Sequence, residues 1–208
     1  GRFSAGDLLG ILPEGSAVPR FYSLASGRRD GFIEIVVRKY PAGLCSGQLL
    51  GLEVGDTVSG FLRANAGFHA GRGRTPLILI GAGTGIGPLA GFVRANARHR
   101  PIYLFFGIRH PDSDFLYADE LTAWQQKGCL RQLATACSRG RMPRYVQDAL
   151  REEAAEIVKL VRKGAKIMVC GGRGMAAGVS EALADILAPA GLSPALLKAE
   201  GRYVEDVY

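Results

Sequence analysis

The sequence predicts an α/β unit, a parallel sheet covered by helices on both faces, preceded by a smaller antiparallel, barrel-like unit of short strands. Three observations predict it. From residue 76 onward short apolar runs alternate with amphipathic stretches; before residue 62 strand-like segments are broken by Gly and Pro; between them RANAGFHAGRGRTP (63–76), rich in Gly and Arg, reads as a linker. Alternation of the first kind belongs to parallel strands joined by crossover helices. The boundary is expected near residue 74, giving units 1–74 and 75–208.

In the first unit FYSLAS (21–26), FIEIVVRKY (32–40) and TVSGFL (57–62) read as strands, the second by its alternation and the third by the turn Val54-Gly55-Asp56 ahead of it. In the second, PLILI (76–80), PIYLFF (101–106), CLRQLATA (129–136) and AKIMVC (165–170) read as buried strands, and 88–98, 113–127, 145–163 and 174–188 as helices. Pro88 suits a first helical turn. Val146, Leu150, Ile157 and Val161 share one stripe, with Ala149, Ala154 and Val158 beside it and Gly164 as the stop. Met175, Val179, Leu183 and Ile186 form the next stripe, closed by Pro189 and Gly191.

The chain has 208 residues, 48% hydrophobic and 22% charged, too apolar for a disordered chain and without an apolar run long enough for a membrane span. Its net charge of +7 is spread out, with nine basic against six acidic residues over 1–75 and 17 against 13 over 76–208. That surface suits an anionic ligand or an acidic partner as well as nucleic acid. Cys45, Cys129, Cys137 and Cys170 form no CxxC pair and have no histidines at zinc spacing, so no metal centre is expected and the thiols read as reduced, in an intracellular protein. The segment GRFSAGDLLGILPEG lacks the features of a signal peptide, and the chain is expected to be a piece of a longer one.

Five motifs could carry chemistry. Gly81-Ala82-Gly83-Thr84-Gly85-Ile86-Gly87-Pro88 follows the PLILI strand where a helix begins, a turn that lets phosphate approach free backbone N–H groups. It lacks the Lys-Ser/Thr pair of an NTP-hydrolysing loop, and such turns also occur in methyltransferases. Cys137-Ser138-Arg139 and Arg144-Tyr145-Val146-Gln147 end the third apolar strand and begin the next helix, so they should overlie the same crevice. Ser and Arg donors there suit a ribose 2′-phosphate, and the alternative is a solvated basic loop. Cys170-Gly171-Gly172 ends the fourth strand; alone, Cys170 reads as a small buried hydrophobe. Arg20-Phe21-Tyr22-Ser23 and Gly43-Leu44-Cys45-Ser46 offer donors for a pyrophosphate and a ring for stacking, although Tyr22 alone reads as a strand aromatic. The end, Arg202-Tyr203-Val204-Glu205-Asp206-Val207-Tyr208, reads by itself as a fraying tail.

In this order and at these separations the motifs resemble the ferredoxin–NADP reductase superfamily across essentially the whole chain, closest to the reductase portion of diflavin enzymes of the sulfite reductase flavoprotein type. The resemblance implies an FAD-binding barrel followed by an NADP-binding domain with a five-stranded parallel sheet. It casts Arg20 on the FAD pyrophosphate, Tyr22 against the isoalloxazine and Ser23 near flavin N5, with Val36, Val37 and Arg38 as a second flavin segment and Gly43, Leu44, Cys45 and Ser46 as a phosphate-contacting turn. Gly83 and Thr84 would face the NADPH pyrophosphate; Ser138, Arg139, Arg144, Tyr145 and Gln147 would hold the 2′-phosphate and adenosine; Cys170, Gly171 and Met175 complete that side. Ser23, Cys170 and Asp206 would surround the reacting atoms, with Tyr208 as an aromatic lid on the flavin.

About 75 residues supply fewer strands than the family's barrel needs, and Ser4–Gly10 resembles a strand from its middle, so the barrel is expected to be incomplete. The implied activity is an NADPH-dependent, FAD-containing reductase feeding electrons to a protein or domain carrying flavin, haem or iron–sulfur. No nucleic acid partner and no membrane insertion of these residues are expected. The expected location is the cytoplasm, including as the cytoplasmic part of a longer, membrane-tethered chain. The alternative is a non-catalytic NADP(H)-binding module whose barrel no longer holds FAD. An S-adenosylmethionine-dependent transferase on the same glycine turn explains neither Ser138-Arg139 nor the aromatic terminus.

Overall fold

The computed structural model describes residues 2–71 and 73–208; Gly1, and Arg72 of the linker, lie outside the described residues. The first unit holds β1 (Leu8–Ile11), β2 (Arg20–Ser23), the helix α1 (Leu44–Leu50) and β3 (Gly60–Arg63). The strands pair antiparallel in the order β2-β1-β3, with Leu9 opposite Tyr22 on one side and Leu62 on the other.

Two expectations change here. Residues 32–40 do not form a strand: apart from the single bridge between Ile35 and Leu24 the segment runs extended and unpaired. Its alternation records a packed face instead. Glu34 reaches Arg94, Val36 approaches Gly87, and the backbone near Glu34 is satisfied locally by Ala25 N–H and the Ser26 hydroxyl. Gly43–Ser46, expected as a turn, opens the seven-residue α1, in which Ser46 Oγ accepts from Tyr40 N–H at 3.2 Å.

The second unit runs β4 (Leu77–Ala82), α2 (Ile86–Arg94), β5 (Ile102–Ile108), α3 (Pro111–Asp114), α4 (Ala118–Gln126), β6 (Gln132–Cys137), α5 (Val146–Glu152), α6 (Ala154–Arg162), β7 (Lys166–Gly171), α7 (Arg173–Leu187), α8 (Pro194–Ala199) and β8 (Tyr203–Val207). Its five strands are all parallel, in the order β6-β5-β4-β7-β8. This is the α/β architecture expected, with a different division of helices. The stretch 113–127 splits at Tyr117, whose backbone is left-handed (φ 59°), and 145–163 splits at Glu153. The terminus is the fifth strand rather than a frayed tail, and α8, started by Pro194 and capped by Ser193, delivers the chain to it.

Alternate residues of β4 feed two cores. Ile78 and Ile80 join Val169 and Leu183 on one face, while Leu77 and Leu79 join Leu89, Phe92 and Phe106 on the other. α2 is buried on every side from Ile86 to Val93, since the sheet lies beneath it and the first unit above. Ala5 and Phe68 belong to the same core, Phe68 stacking 5.6 Å from Phe92, so the stretch read as linker is packed against α2. No described helix is long and apolar enough to cross a membrane.

Candidate functional site

After β4 the chain adds β5 and β6 on one side and then returns to place β7 and β8 on the other, so the strand order reverses between β4 and β7. In open α/β sheets ligands bind at the carboxyl ends of the strands beside such a reversal. There the β4 backbone turns through Gly83–Gly85 into α2, directly against the end of β7. A Cβ on Gly85 would lie 2.0 Å from the Cys170 carbonyl oxygen, so only glycine fits. Gly85→Ala must push two backbones apart and is expected to destabilise the protein by roughly 3 kcal/mol or more, lowering Tm by on the order of 10 °C in a thermal melt. Gly83, by contrast, faces open space, with nothing within 4 Å of a hypothetical Cβ, so a ligand backbone or phosphate can approach the turn.

Two clefts meet over this edge. One, of about 500 Å³, lies between the units and is lined by Arg20, Tyr22, Ser23, Val36, Arg38, Gly43, Leu44, Cys45, Ser46, Cys170 and Tyr208, together with Pro13, Tyr40 and Pro88. The other, of about 680 Å³, runs over the ends of β4, β5 and β6 and is lined by Gly83, Thr84, Ser138, Arg144, Tyr145, Gln147 and Met175, with Val37 opposite. Thr84, Val36, Arg38, Tyr40 and Tyr208 line both, so the clefts form one trough. Of the residues expected here, Arg139, Gly171 and Asp206 line neither cleft; the Arg139 N–H is spent on the Arg109 carbonyl at 3.0 Å, Gly172 takes the lining position beside Gly171, and Asp206 instead contacts the lining residues Ser23 and Cys170.

At the junction three distant parts of the chain converge. Ser23 Oγ, on β2, donates to Asp206 Oδ2 at 2.5 Å. Asp206 stands opposite Cys170 in the β7–β8 register, and Cys170 Sγ lies 4.0 Å from the same carboxylate oxygen. Tyr208 is held by its N–H to Gly171 O at 3.2 Å and by a 2.5 Å hydroxyl contact to Thr84 Oγ1. Burial raises the Asp206 carboxyl pKa, the Ser23 hydrogen bond opposing it. Burial first, and the neighbouring carboxylate second, push the Cys170 thiol well up, so it stays protonated: a small neutral filler, not a nucleophile. Tyr22 is raised by burial and then by its Cys45 neighbour, which keeps its phenol neutral against the first cleft.

The donor set suits phosphorylated ligands at both ends. Arg20 lines the first cleft with Nη1 anchored on Val18 O at 3.1 Å. In the second, Arg144 pairs through Nη2 with Glu152, while its Nε is buried with no hydrogen-bond partner. The rest of the Arg144 side chain is exposed beside Ser138, Tyr145 and Gln147, so its guanidinium can offer N–H groups to an anionic oxygen in the cleft. Tyr40 and Arg109 also line the trough and were not picked out from the sequence. Arg109 carried a usable signal, since it directly follows the second apolar strand and so belongs to the same sheet edge; Tyr40 carried none. Among the described residues no three His, Cys, Asp or Glu side chains gather as a metal site.

Comparison with known proteins gives two domain families in this order. Residues 4–61 match the oxidoreductase FAD-binding domain and residues 79–181 the oxidoreductase NAD-binding domain. Among curated relatives, the sulfite reductase (NADPH) flavoprotein alpha-component of Salmonella paratyphi A is 35% identical, covering 97% of this chain and 37% of the relative. That of Yersinia pestis is 34% identical, with 99% and 38% covered. Human inducible nitric oxide synthase is 35% identical over all of this chain and 20% of its own length. The chain thus spans between a fifth and two fifths of the length of these relatives.

Proposed function

Because the chain belongs to the ferredoxin–NADP reductase family, with its FAD-binding and NAD-binding oxidoreductase domains in series, we propose that it is the reductase part of an NADPH-dependent flavoprotein. Bound in the two clefts, NADPH and FAD would supply the redox chemistry, hydride transfer to the flavin and one-electron transfer onward to a protein or domain bearing flavin, haem or iron–sulfur. The observation that carries the proposal is the grouping of Ser23 and Cys170, on the first cleft, with Tyr208, which lines both clefts, and with Asp206 held against Ser23 and Cys170.

We assign the residues of this chain as follows, with the units dividing near residue 74. Arg20 and the Gly43–Ser46 segment bind the FAD pyrophosphate, and Tyr22, Val36 and Arg38 line the ring pocket. Gly83 and Thr84 receive the NADPH pyrophosphate, while Ser138, Arg144, Tyr145 and Gln147 take the 2′-phosphate and adenosine. Arg139 sits outside both clefts and reaches the ligand only if its side chain swings in. Ser23 holds the Asp206 carboxylate at the junction, where its charge stabilises the cationic nicotinamide product. Tyr208, tethered by Thr84, covers the trough and keeps water out until it is displaced. The four free cysteines support a reducing, cytoplasmic setting, and the excess of basic residues supports an acidic redox partner.

The test is an anaerobic titration of the FAD-loaded protein, freed of excess flavin, with NADPH and separately with NADH, following bound-flavin absorbance. Rapid bleaching by NADPH and much slower bleaching by NADH is the expected result. Retained flavin that NADPH does not bleach would overturn the reductase assignment. A protein that binds NADPH yet stays colourless with added FAD would instead be the non-catalytic module.

A further inference from the structure

At the far end of α2 from the glycine turn, charged and aromatic groups from both units meet in a cluster that the proposed chemistry does not use. Arg94, the last residue of α2, donates from Nη2 to both carboxylate oxygens of Glu34, at 3.1 and 3.4 Å, and from Nη1 to Ala25 O at 3.0 Å. Its guanidinium carbon lies 5.6 Å from the centre of the Phe32 ring and 5.8 Å from that of Trp124 on α4, within cation–π range of each. The Tyr117 hydroxyl donates to the same Glu34 carboxylate. Ala25, Phe32 and Glu34 come from the first unit, and Arg94, Tyr117 and Trp124 from the second.

Three features separate this cluster from an ordinary surface ion pair. The Arg94 and Glu34 side chains are only 19% and 25% exposed, so solvent screens them weakly. Tyr117 holds a left-handed backbone conformation, φ 59°, that bulky side chains rarely adopt, and in it its hydroxyl meets Glu34. One turn earlier on α2, a Cβ on Gly91 would lie 2.5 Å from Ala25 O, so the helix and the first unit are in backbone contact beside the ion pair. Glu34 is two residues before Val36, four before Arg38 and six before Tyr40, the three residues of this segment that line both clefts, as Thr84 and Tyr208 do. Between Leu24 and Tyr40 the segment has one ladder bridge, at Ile35, so its position rests largely on side-chain anchors.

We propose that Glu34, Arg94 and Tyr117 form a clasp between the two units that fixes the 32–40 segment, and with it Val36 and Arg38, against α2, making these three positioning residues for the approach of nicotinamide to flavin. None of the three lines either cleft. The clasp acts through the rigid helix on one side and an otherwise loosely held segment on the other. Because the ends of the trough belong to different units, the distance between rings depends on how firmly the units are docked, and small misplacements of reacting groups are costly in rate. This function of the clasp rests on the reductase reading above.

The test uses the FAD-loaded full chain and the variants Glu34→Gln, Arg94→Gln, Tyr117→Phe and the Glu34→Gln/Arg94→Gln double. Tyr117→Phe removes one hydroxyl and no volume, so it is the variant that folds in any case. Three quantities are measured: flavin reduction rate at saturating NADPH, affinity for 2′,5′-ADP, which probes the distant adenosine end, and hydrogen exchange over residues 32–40. Glu34→Gln is expected to slow reduction by about tenfold and Tyr117→Phe by a few-fold. 2′,5′-ADP affinity should stay within about twofold, exchange over 32–40 should accelerate, and the double variant should be no slower than the slower single. Unchanged exchange over 32–40, losses that add in the double variant, or 2′,5′-ADP affinity falling in step with rate would each overturn the clasp. Wild-type flavin that NADPH does not reduce would overturn the reductase reading instead, and the exchange measurement would still decide whether the clasp holds the segment.

Discussion

Asp206→Asn is expected to slow NADPH-driven flavin reduction by about 10²-fold while making the protein more stable at neutral pH. The two effects have one origin. Asp206 is largely withdrawn from water against Ser23 and Cys170, which line the first cleft, so its negative charge is weakly screened close to where the proposed reaction develops positive charge. Asn keeps the shape and still accepts from the Ser23 hydroxyl, so geometry is preserved and only the charge is lost. Stability moves the opposite way because burial raises the Asp206 pKa in the folded state. For a carboxyl raised on folding, the favourable contribution is present below the unfolded pKa and is lost as pH rises through the folded value. At pH 7 the ionised wild-type carboxylate is therefore a liability that Asn removes. Thermal melts should show the variant above wild type at pH 7 and the gap closing as the solution is acidified toward and below the folded pKa. A gap that widens on acidification would show that Asp206 is stabilised as an anion, and a variant that reduces flavin at the wild-type rate would remove it from the junction chemistry. Stability forgone at a working site is a familiar trade.

Arg144→Ala is expected to lower the preference for NADPH over NADH by roughly 10- to 100-fold, the effect of losing a charge-assisted hydrogen bond of about 1.5–3 kcal/mol. The loss should fall on NADPH alone. Arg144 lines the cleft with a guanidinium oriented by its Nη2 pairing with Glu152 and still exposed, so it has N–H groups to give. NADH lacks the 2′-phosphate and should be used as well by the variant as by wild type. The measurement is kcat/KM for each nucleotide with an artificial one-electron acceptor. Equal losses for both would mean that Arg144 supports the β6–α5 loop and does not read the phosphate. The variant also frees Glu152 from its ion pair, but that pair is exposed on both sides and its removal should change stability little.

Much of the second unit could be read locally. PLILI, PIYLFF and AKIMVC are near-continuous apolar runs, broken only by Lys166 at the start of its strand, because parallel strands are covered on both faces, and the glycine turn announces itself because Gly85 sits against the Cys170 carbonyl, where no other residue fits. The first unit was harder for a physical reason. The alternation of FIEIVVRKY is the same whether alternate residues face a sheet's core or a neighbouring helix; here Glu34 and Val36 face α2, and no ladder forms on the segment beyond Ile35. The helix breaks carry no local signal because Tyr117 and Glu153 are neither Gly nor Pro, and the left-handed Tyr117 goes with a hydroxyl contact to Glu34, 83 residues away in sequence.

By itself, the sequence determined the class of fold, the alternation of parallel strands with helices, and the phosphate-suited glycine turn, because these follow from periodicity and from steric rules that act over a few residues. Only the tertiary structure decided which side chains meet. Ser23 and Asp206 touch across 183 residues, Asp206 faces Cys170 through the β7–β8 register, and Arg139 is not among the residues lining the trough that Arg144 lines. Those outcomes depend on docking one unit against α2 and on the register of an edge strand, and both are set by the packing of whole surfaces such as Phe68 on Phe92 and Gly91 on Ala25, not by any local pattern of residues.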